Sequence, residues 1–582
     1  MIAVCRFDKK GEVMKIERIR CVGFRSLKDV NIELANYNTL IGKNDSGKSS
    51  LLLALNKLFD PELRLTSDDK CKLPFYDGDC FVEAEISGIK SGLGSAGTLV
   101  VRKSLDQGLQ YKSKVPANET IRKMMDGHLL KGDISKLPEK IRAIVNKEVA
   151  ALPKGKIPSE NATTIYEKLK ADKLLEFTDG WARMDERELS ALIRVVFLSA
   201  NMRGEEETQY TGNSVLTSVC GQLLRDAVAK DPGIAKITDE YEAEIGRVFQ
   251  KNASGQWELT ELNEFQDVLN EEIKRFDSGI NSESVLHPPK IPTINFGLSL
   301  EISDGCVTGI DYMGHGLRRS IVFAMLRTHR RLRQNKTSGG HRSGPFYLFL
   351  IEEPELYLHP QAERRRMNEL KELANEANTQ VVLCTHSAFF VDLSEYKGIH
   401  RFERRDRLET RVEVWDGPDL DPETAETVSL ICRTNSQHSA MVFADLVILV
   451  EGESEQIAIP YVARKLELED SGIDIEVVSC GGCSKIPPIQ KILEGLRIRY
   501  VAWLDNANKN DKADIAKAKK ARSREYGRIV ITDRNWETMN KLSGNESKIY
   551  KSWKHFIKDG NMPNEEFEKR LRAAYSFQDY GI

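Results

Sequence analysis

Two groups of residues in the N-terminal two thirds of this chain have the types and spacing needed for phosphate chemistry. The first is the run GKNDSGKS at positions 42–49, which matches the phosphate-loop pattern G-x-x-x-x-G-K-[ST] in full. Its glycines let backbone N–H groups converge on phosphate oxygens, and the helix that follows presents its positive end. We predict that Lys48 reaches the terminal phosphates of ATP and that the hydroxyl of Ser49 holds Mg²⁺. The predicted nucleotide-binding residues of this segment are Gly42, Asn44, Ser46, Gly47, Lys48, Ser49 and Ser50.

The second group is a pair of acids, Glu352 and Glu353, that follows the apolar run Leu348–Ile351. A phosphate-loop enzyme needs such an acid at the end of a second buried strand. We therefore predict that Glu352 holds the Mg²⁺ shell through water and that Glu353 orients or deprotonates the attacking water. Two acids that merely cap the strand are the weaker interpretation, because the phosphate loop requires a partner distant in sequence.

A third group of acids lies towards the C-terminus. Glu451 follows the apolar run 446–450, Glu455 opens the next helix, and Asp505 ends the run 501–504. Carboxylates brought together at strand ends form a hard oxygen site suited to Mg²⁺ or Mn²⁺. Two such ions can stabilise both the attacking and the leaving oxygen in phosphodiester hydrolysis.

The sequence pattern predicts that alternating buried strands and helices position these residues. Apolar runs near 37–41, 346–351, 380–384 and 446–450 predict strands, and runs at 51–59, 361–377 and 456–466 predict helices. This alternation indicates an α/β protein with largely parallel sheets covered on both faces. The charged segment from about residue 112 to 279 has a different, mostly helical pattern, typical of an insertion or a dimerisation arm.

Composition limits the class of protein. The 582 residues carry 85 Lys and Arg against 88 Asp and Glu, a net charge of −3 that excludes a uniformly basic nucleic-acid coat. Any DNA contact must then be a local patch. The candidate is Lys509–Arg528, directly after Asp505, and the alternative is that this segment is a solvated helix face.

No apolar run is long enough to predict a membrane span or a signal peptide. The ten scattered cysteines indicate reduced thiols and a cytoplasmic location. Zinc binding by Cys480 and Cys483 is disfavoured, because no second pair accompanies them.

Further motifs resemble those of ABC-type ATPases of the SMC and RecF kind. Glu352–Glu355 with Leu358–Pro360 resembles their strand-end signature, 314–319 their signature loop, and Cys384–Ser387 their switch histidine. The resemblance implies that His386 senses the γ-phosphate. It also implies that Gly314 and Gly316 close on the ATP of a second subunit, so that the protein is at least a homodimer. One departure is that Glu352 stands where the family usually has Asp.

The C-terminal acids resemble a TOPRIM domain, and the whole chain resembles the OLD (overcoming lysogenization defect) family of nucleases. The resemblance implies that Glu451, Glu455 and Asp505 are catalytic metal ligands. The family's second aspartate is Ala507 here, with Asn508 and Asp511 as nearby substitutes. Trp536–Met539 resembles a late glutamate motif, and Lys541 or Lys548 is expected to stabilise the transition state. The implied domains are an ATPase N-terminal lobe (1–111), a helical insertion (112–285), an ATPase C-terminal lobe (286–418) and a TOPRIM domain with its tail (419–582).

The resemblance implies an ATP-binding, metal-dependent DNA endonuclease that acts in antiphage defence. A retron reverse transcriptase with its RNA and DNA, or a defence helicase, is the implied partner besides DNA. The alternative hypothesis is an SMC-like ATPase that clamps or scaffolds DNA or a partner, with a degenerate TOPRIM domain that does not cut; Ala507 favours it. A topoisomerase or primase is a weaker third hypothesis.

Overall fold

The computed structural model divides the chain into two compact units, residues 1–200 with 340–582, and residues 201–339. In the first unit it describes residues 14–200 and 346–581, apart from internal gaps. In the second it describes Glu240, Asn263 and an antiparallel pair, β9 (Glu301–Ser303) and β10 (Val307–Gly309). The gaps in the first unit are 74–75, 90–97, most of 119–136, most of 150–176, 357, 406–408, 435, 469–471, 507–510, 524 and 545.

The first unit begins with an antiparallel sheet in the order β2-β1-β4-β5-β6-β7. Its strands alternate buried and less buried residues, as in Phe81–Ser87, because one face packs on the core and the other faces outwards. The strands are β1 (Lys15–Phe24), β2 (Leu27–Glu33), β4 (Phe81–Ser87), β5 (Leu99–Ser104), β6 (Gly108–Pro116) and β7 (Phe177–Arg183).

A second sheet, in the order β14-β13-β3-β12-β11-β8, carries the nucleotide motifs. All pairs are parallel except the edge pair β13–β14, so the carboxyl ends of β3, β12 and β11 lie along one edge. Strand β12 is buried along its whole length, as expected of a strand covered on both faces. The strands are β3 (Tyr37–Gly42), β8 (Ile193–Leu198), β11 (Phe346–Glu352), β12 (Thr379–Cys384), β13 (Ile399–Arg405) and β14 (Glu409–Glu413).

Helix α1 (Lys48–Phe59) joins these two sheets into one core. Its residues Leu51, Leu52 and Leu55 are fully buried in a cluster with Ile19 and Val82 of the first sheet and with residues of the second. Burial of one Leu side chain contributes about 2 kcal/mol. The helix that must present its N-terminus to phosphate is therefore fixed by packing on both sides.

A third, four-stranded parallel sheet, in the order β16-β15-β17-β18, forms the C-terminal domain. Its strands are β15 (Leu446–Val450), β16 (Ile475–Ser479), β17 (Arg499–Asp505) and β18 (Gly527–Thr532). The other helices of the first unit are α2 (Glu139–Val149), α3 (Glu186–Leu192), α4 (Pro360–Ala374), α5 (Pro422–Thr434), α6 (Glu453–Lys465), α7 (Ile486–Gly495), α8 (Asp511–Ala521), α9 (Trp536–Met539), α10 (Lys548–Ser552) with a π-helical continuation (Trp553–Lys558), and α11 (Glu565–Tyr575).

The boundary predicted at residue 112 needs correction. Strand β6 runs across it to Pro116 and pairs with β7, and β8 pairs with β11 in the nucleotide-binding sheet. Strands β7 and β8 thus lie inside the interval predicted to be a mostly helical insertion. Their short runs were hidden by the charged helical pattern around them, and their pairing partners are distant in sequence.

Candidate nucleotide and nuclease sites

The phosphate loop leaves the carboxyl end of β3 and ends at α1, as predicted from its sequence. Gly42 and Gly47 have φ angles of 138° and 102°, a region that favours glycine. A Cβ atom at Gly42 would lie 2.1 Å from the carbonyl oxygen of Phe402, and one at Gly47 would lie 2.7 Å from Oγ1 of Thr410. Both glycines are therefore required by the path of the loop.

Lys48 is buried, and its ammonium group is held inside the loop. Its Nζ donates hydrogen bonds to the carbonyl oxygens of Gly42 and Lys43, at 2.8 and 2.9 Å. Burial lowers the pKa of Lys48, while the nearby acids Glu353 and Glu355 act in the opposite direction. An ammonium group bonded only to neutral carbonyls can exchange them for phosphate oxygens, which are stronger acceptors.

The other predicted loop residues differ in exposure. Asn44 and Ser49 are exposed, whereas Ser46 is buried and its Oγ lacks a hydrogen-bond partner among the described residues. Thr410 of β14 was not predicted from the sequence. Its Oγ1 lies 2.9 Å from the carbonyl oxygen of Ser46 and 3.1 Å from Oγ of Ser26, so it supports the loop from the edge strand of the sheet.

Glu352 and Glu353 lie at the end of β11, two strands from the phosphate loop in the sheet. Oε2 of Glu352 accepts a hydrogen bond from the N–H of Ala200, at 3.1 Å. Glu353 has a φ of 43°, which is unusual for a residue other than glycine, and its N–H donates to the carbonyl oxygen of Cys384. The strained backbone of Glu353 is thus locked onto β12, at a position typical of functional residues.

His386 follows β12 and is held by Glu355, whose role the sequence did not predict. The carboxylate of Glu355 accepts hydrogen bonds from the N–H of His386, at 2.7 Å, and from Oγ1 of Thr385, at 2.8 Å. Partial burial and then Lys48 lower the pKa of His386, while Glu353 raises it. The charges of Lys48 and Glu353 therefore both act on the His386 ring. Gly314 and Gly316 lie outside the described residues.

The predicted nuclease acids occupy the carboxyl edge of the C-terminal sheet. Oε1 of Glu451 accepts a hydrogen bond from the N–H of Asp505, at 2.9 Å, which joins the ends of β15 and β17. The carbonyl oxygen of Glu451 accepts from the N–H of Gly482 beyond β16. Three neighbouring strand ends are thus bonded together at this site.

Asp505 is buried and is positioned by two groups that the sequence did not reveal. Its Oδ2 accepts from the N–H of Trp536, at 3.0 Å, and its Oδ1 lies 2.6 Å from Oγ1 of Thr532, the last residue of β18. Carboxylates that bind metals are commonly oriented by such hydrogen bonds. A polar residue that ends a strand next to the acidic strand is the sequence feature that could have identified Thr532.

Glu455 lies on the first turn of α6 and is 5% exposed. Its pKa is raised to about 8, chiefly by burial and then by the charges of Asp505, Glu451 and Glu537 in that order. Like charges disfavour ionisation of their neighbours, so Glu455 lies within electrostatic range of these three carboxylates. Glu537, in the predicted late motif, also pairs with Lys548, with Nζ 2.9 Å from Oε1. Lys548 is therefore the lysine that the structure brings to the acids.

A divalent cation is the group that this set of donors fits best. The donors are carboxylate oxygens, buried or partly buried, whose mutual repulsion a cation would relieve. In the conformation seen here, no three His, Cys, Asp or Glu side chains of the described residues form a ready ligand set. Cys480 and Cys483 are buried and are not joined by a disulfide. Ala507 and Asn508 lie outside the described residues, and the side chain of Asp511 is not described.

The basic segment 509–528 is only partly available to DNA. Lys517 pairs with Asp514 and Arg522 with Asp579, while the guanidinium group of Arg528 lies over the ring of Phe577.

No helix among the described residues is long and apolar enough to cross a membrane.

Comparison with known proteins identifies two domains. Residues 14–391 match the AAA ATPase domain family, which covers more than half of the chain. Residues 442–506 match the TOPRIM domain of proteins like the overcoming lysogenization defect protein. The first match ends just beyond His386, and the second contains Glu451, Glu455 and Asp505. The mixed α/β fold with an ATPase head and a C-terminal TOPRIM domain is thus confirmed.

Several known proteins are similar to this chain. An OLD nuclease of Thermus scotoductus is 31% identical over 221 residues, which is 37% of this chain and 39% of that protein. The Old nuclease of Escherichia phage P2 is 23% identical over 84% of this chain and 77% of its own length. The endonuclease GajA of Bacillus cereus is 22% identical over 86% of this chain and 76% of its own length. The chain spans well under half of the Thermus protein in this match, but about three quarters of the other two.

Solved structures give only distant matches. An SMC head domain from Thermotoga maritima, 13% identical, covers 69% of this chain and 98% of its own, with a TM-score of 0.25. The domain assignment depends on the two family matches and on the relatives that span most of the chain. The chain therefore belongs to the AAA ATPase domain family, carries an OLD-like TOPRIM domain behind it, and is similar over most of its length to the Old nuclease of phage P2 and to GajA.

Proposed function

We propose that this protein is a divalent-metal-dependent DNA endonuclease whose ATPase domain regulates cleavage, and that it acts as a homodimer or higher homo-oligomer in antiphage defence. The observation that carries the proposal is the position of Glu451, Glu455 and Asp505 at the carboxyl edge of the TOPRIM sheet, where Glu451 accepts a hydrogen bond from the N–H of Asp505. Relatives named as nucleases and as an endonuclease support the reaction class.

In this proposal Glu451, Glu455 and Asp505 hold Mg²⁺ or Mn²⁺, which supplies charge stabilisation at the phosphate and an activated water. Thr532 and the N–H of Trp536 fix the orientation of Asp505. Lys548, held by Glu537, provides a positive charge near the same site. Its pKa is raised by the hydrogen bond to Glu537 and then by the charges of Glu537, Glu455 and Asp505, so it stays protonated at neutral pH.

In the head, the proposed nucleotide site is made by the phosphate loop, with Ser49 and Glu352 at the Mg²⁺, Glu353 at the attacking water and His386 at the γ-phosphate. The shared electrostatics of Lys48, Glu353 and His386 support this assignment. Gly314 and Gly316 of a second subunit would complete it. A retron reverse transcriptase or a defence helicase remains the proposed partner.

A second candidate is an ATP-driven clamp on DNA whose TOPRIM domain does not cut. Ala507 in place of the family's second aspartate favours it, as does the lack of a ready metal-ligand set among the described residues. The two candidates differ in a single observable, which is the breakage of phosphodiester bonds.

The test is a cleavage assay with purified full-length protein, Mg²⁺ or Mn²⁺, and supercoiled, linear and single-stranded DNA, with and without ATP. We expect metal-dependent cleavage that falls at least about 100-fold in Glu451→Gln, because the amide keeps the hydrogen bond from Asp505 but removes the charge. Glu453→Gln is the matched control, since Glu453 is an exposed acid two residues away, on the first turn of α6. Cleavage that survives Glu451→Gln would contradict the site; no cleavage of any DNA, with intact binding, would favour the clamp.

A further inference from the structure

The helix α10 and its π-helical continuation expose two aromatic rings beside the carboxylate site. Tyr550 and Trp553 are 42% and 38% exposed, and their ring centroids are 5.5 Å apart. Ile549, next to them, is 37% exposed. Large apolar side chains gathered in one exposed patch mark a binding surface rather than a solvated helix face.

The same segment is strongly basic. Between Ser547 and Asp559 the only acid is Asp559 itself, and the basic residues are Lys548, Lys551, Lys554, His555 and Lys558. Lys548 pairs with Glu537, but in the described part of the chain no ion pair engages Lys551, Lys554 or Lys558. Lysines that alternate with exposed aromatic rings present positive charge and flat apolar faces together, which suits the phosphates and bases of a nucleic acid.

This segment is fixed to the nuclease site through Trp536. The backbone N–H of Trp536 donates to Asp505, at 3.0 Å, and its indole Nε1–H donates to Oγ of Ser552, at 2.8 Å. Phe556, which is fully buried, packs its ring 6.1 Å from that of Trp536. Ser552 and Phe556 thus anchor the segment on Trp536, and the N–H of Trp536 in turn orients Asp505.

A second attachment runs to the helix that carries Glu455. The hydroxyl of Tyr461 on α6 lies 3.5 Å from the carbonyl oxygen of Ile557, and Nζ of Lys465 donates to the carbonyl oxygen of Gly560, at 3.0 Å. Because α6 and Trp536 both hold the segment, its exposed face keeps a fixed position relative to Glu455 and Asp505.

We propose that Tyr550, Lys551, Trp553 and Lys554, here called the aromatic-lysine surface, bind an unpaired DNA strand and lead it to the TOPRIM carboxylates. The choice of DNA rests on the proposed nuclease function. Two rings that are free on one face can each stack on a base, which requires bases that are not already stacked in a duplex. The lysines contact the backbone phosphates, so binding depends on salt.

The test measures binding of a fluorescent oligothymidylate strand, and of the corresponding duplex, to full-length protein in EDTA. We expect Tyr550→Ala and Trp553→Ala each to weaken binding of the single strand about fivefold or more, while duplex binding changes less than about twofold. Tyr550→Phe and Trp553→Phe should restore most of the affinity. Lys551→Ala and Lys554→Ala should each reduce the slope of log affinity against log salt by about 0.7. Phe177→Ala removes another exposed aromatic side chain, on β7, and is the matched control.

Unchanged single-strand binding in the Tyr550→Ala/Trp553→Ala double variant would overturn the proposal. Equal loss in the Ala and Phe variants would also overturn it, since stacking would not be the cause. If the wild-type protein binds the strand through these rings but never cuts it, the nuclease function fails and the surface stands. If the protein cuts DNA while the ring variants bind it normally, the surface fails and the nuclease function stands.

Discussion

Lys43 of the phosphate loop forms an ion pair with Asp445 at the start of the TOPRIM domain, with Nζ 2.9 Å from Oδ2. The same Nζ lies 2.9 Å from Oδ2 of Asp474, which precedes β16. The carbonyl oxygen of Lys43 meanwhile accepts a hydrogen bond from Lys48. One loop residue therefore contacts both the lysine that is expected to bind phosphate and the domain that carries the nuclease acids.

Lys43→Gln should separate nucleotide binding from nuclease control. Phosphate binding by Lys48 would remove its bond to Lys43 and shift the loop, and the pair with Asp445 would pass that shift to the TOPRIM domain. We expect Lys43→Gln to abolish most of the difference in cleavage rate with and without ATP, while ATP affinity changes less than about threefold. The melting temperature should change little, because an exposed ion pair contributes about 0–1 kcal/mol.

Asp474→Asn should reproduce part of this effect, and the double variant should add nothing to Lys43→Gln, since both changes break one contact. Lys28→Gln is the matched control, because Lys28 forms an exposed ion pair with Glu409 inside the head. Full ATP dependence in Lys43→Gln would contradict coupling through this contact.

Glu355→Gln should slow ATP turnover without loss of ATP binding. Glu355 accepts hydrogen bonds from Thr385 and from the N–H of His386, and an amide oxygen can replace only one of its two acceptors. We expect kcat to fall about tenfold or more as His386 loses its position. His386→Ala should cause a similar fall, and the double variant should be no slower than the single ones. A larger Kd for ATP with an unchanged kcat would assign Glu355 to binding instead.

Thr532→Val should raise the metal concentration that gives half-maximal cleavage. Valine keeps the shape of the side chain but removes the hydroxyl that lies 2.6 Å from Oδ1 of Asp505. Loss of such a partner typically costs about 10- to 100-fold in metal affinity, and excess Mg²⁺ or Mn²⁺ should restore the rate. Thr532→Ser should behave like wild type. A lower maximal rate at an unchanged metal requirement would show that Thr532 does not position Asp505.

The sequence predicted the parts of the site that are carried by short local patterns. Apolar runs form buried parallel strands, and the residue that follows such a run lies at a strand end. This pattern identified the phosphate loop, the acids at the ends of β11 and β15, and Asp505. The order of these strands in the sheets depends on pairings such as β8 with β11, which join residues about 150 positions apart. No local pattern contains that information.

The contacts that sequence analysis missed join residues distant in the chain. Thr410 contacts Ser46, Glu355 contacts His386, and Trp536 contacts Asp505 through its backbone N–H. Every residue except proline has a backbone N–H, so the residue type of Trp536 does not reveal this hydrogen bond. The aromatic-lysine surface was missed for another reason. Tyr550 and Trp553 have the spacing of an ordinary amphipathic helix, and only the structure shows that they are exposed while Ser552 and Phe556 form the buried side.

His400, at the second residue of β13, should make the protein sensitive to acid. It is fully buried, and burial lowers its pKa to about 4 from an ordinary value of 6.5. Its Nε2 lies 3.2 Å from Oδ1 of Asn38, and its Nδ1 has no partner within the described residues, so the folded protein holds the neutral ring.

Between pH 6.5 and pH 4 the unfolded chain binds a proton at His400 that the folded protein excludes. This proton uptake by the unfolded chain does not occur above pH 6.5. As the pH falls from 6.5 to 4, it lowers the free energy of unfolding by about 3 kcal/mol at most. We expect His400→Gln, which can still donate to Asn38, to reduce the drop in Tm between pH 7.5 and pH 5. The matched control is His359→Gln, at an exposed histidine whose side chain does not cap α4. An equal acid-induced drop in wild type and His400→Gln would assign the sensitivity to other groups.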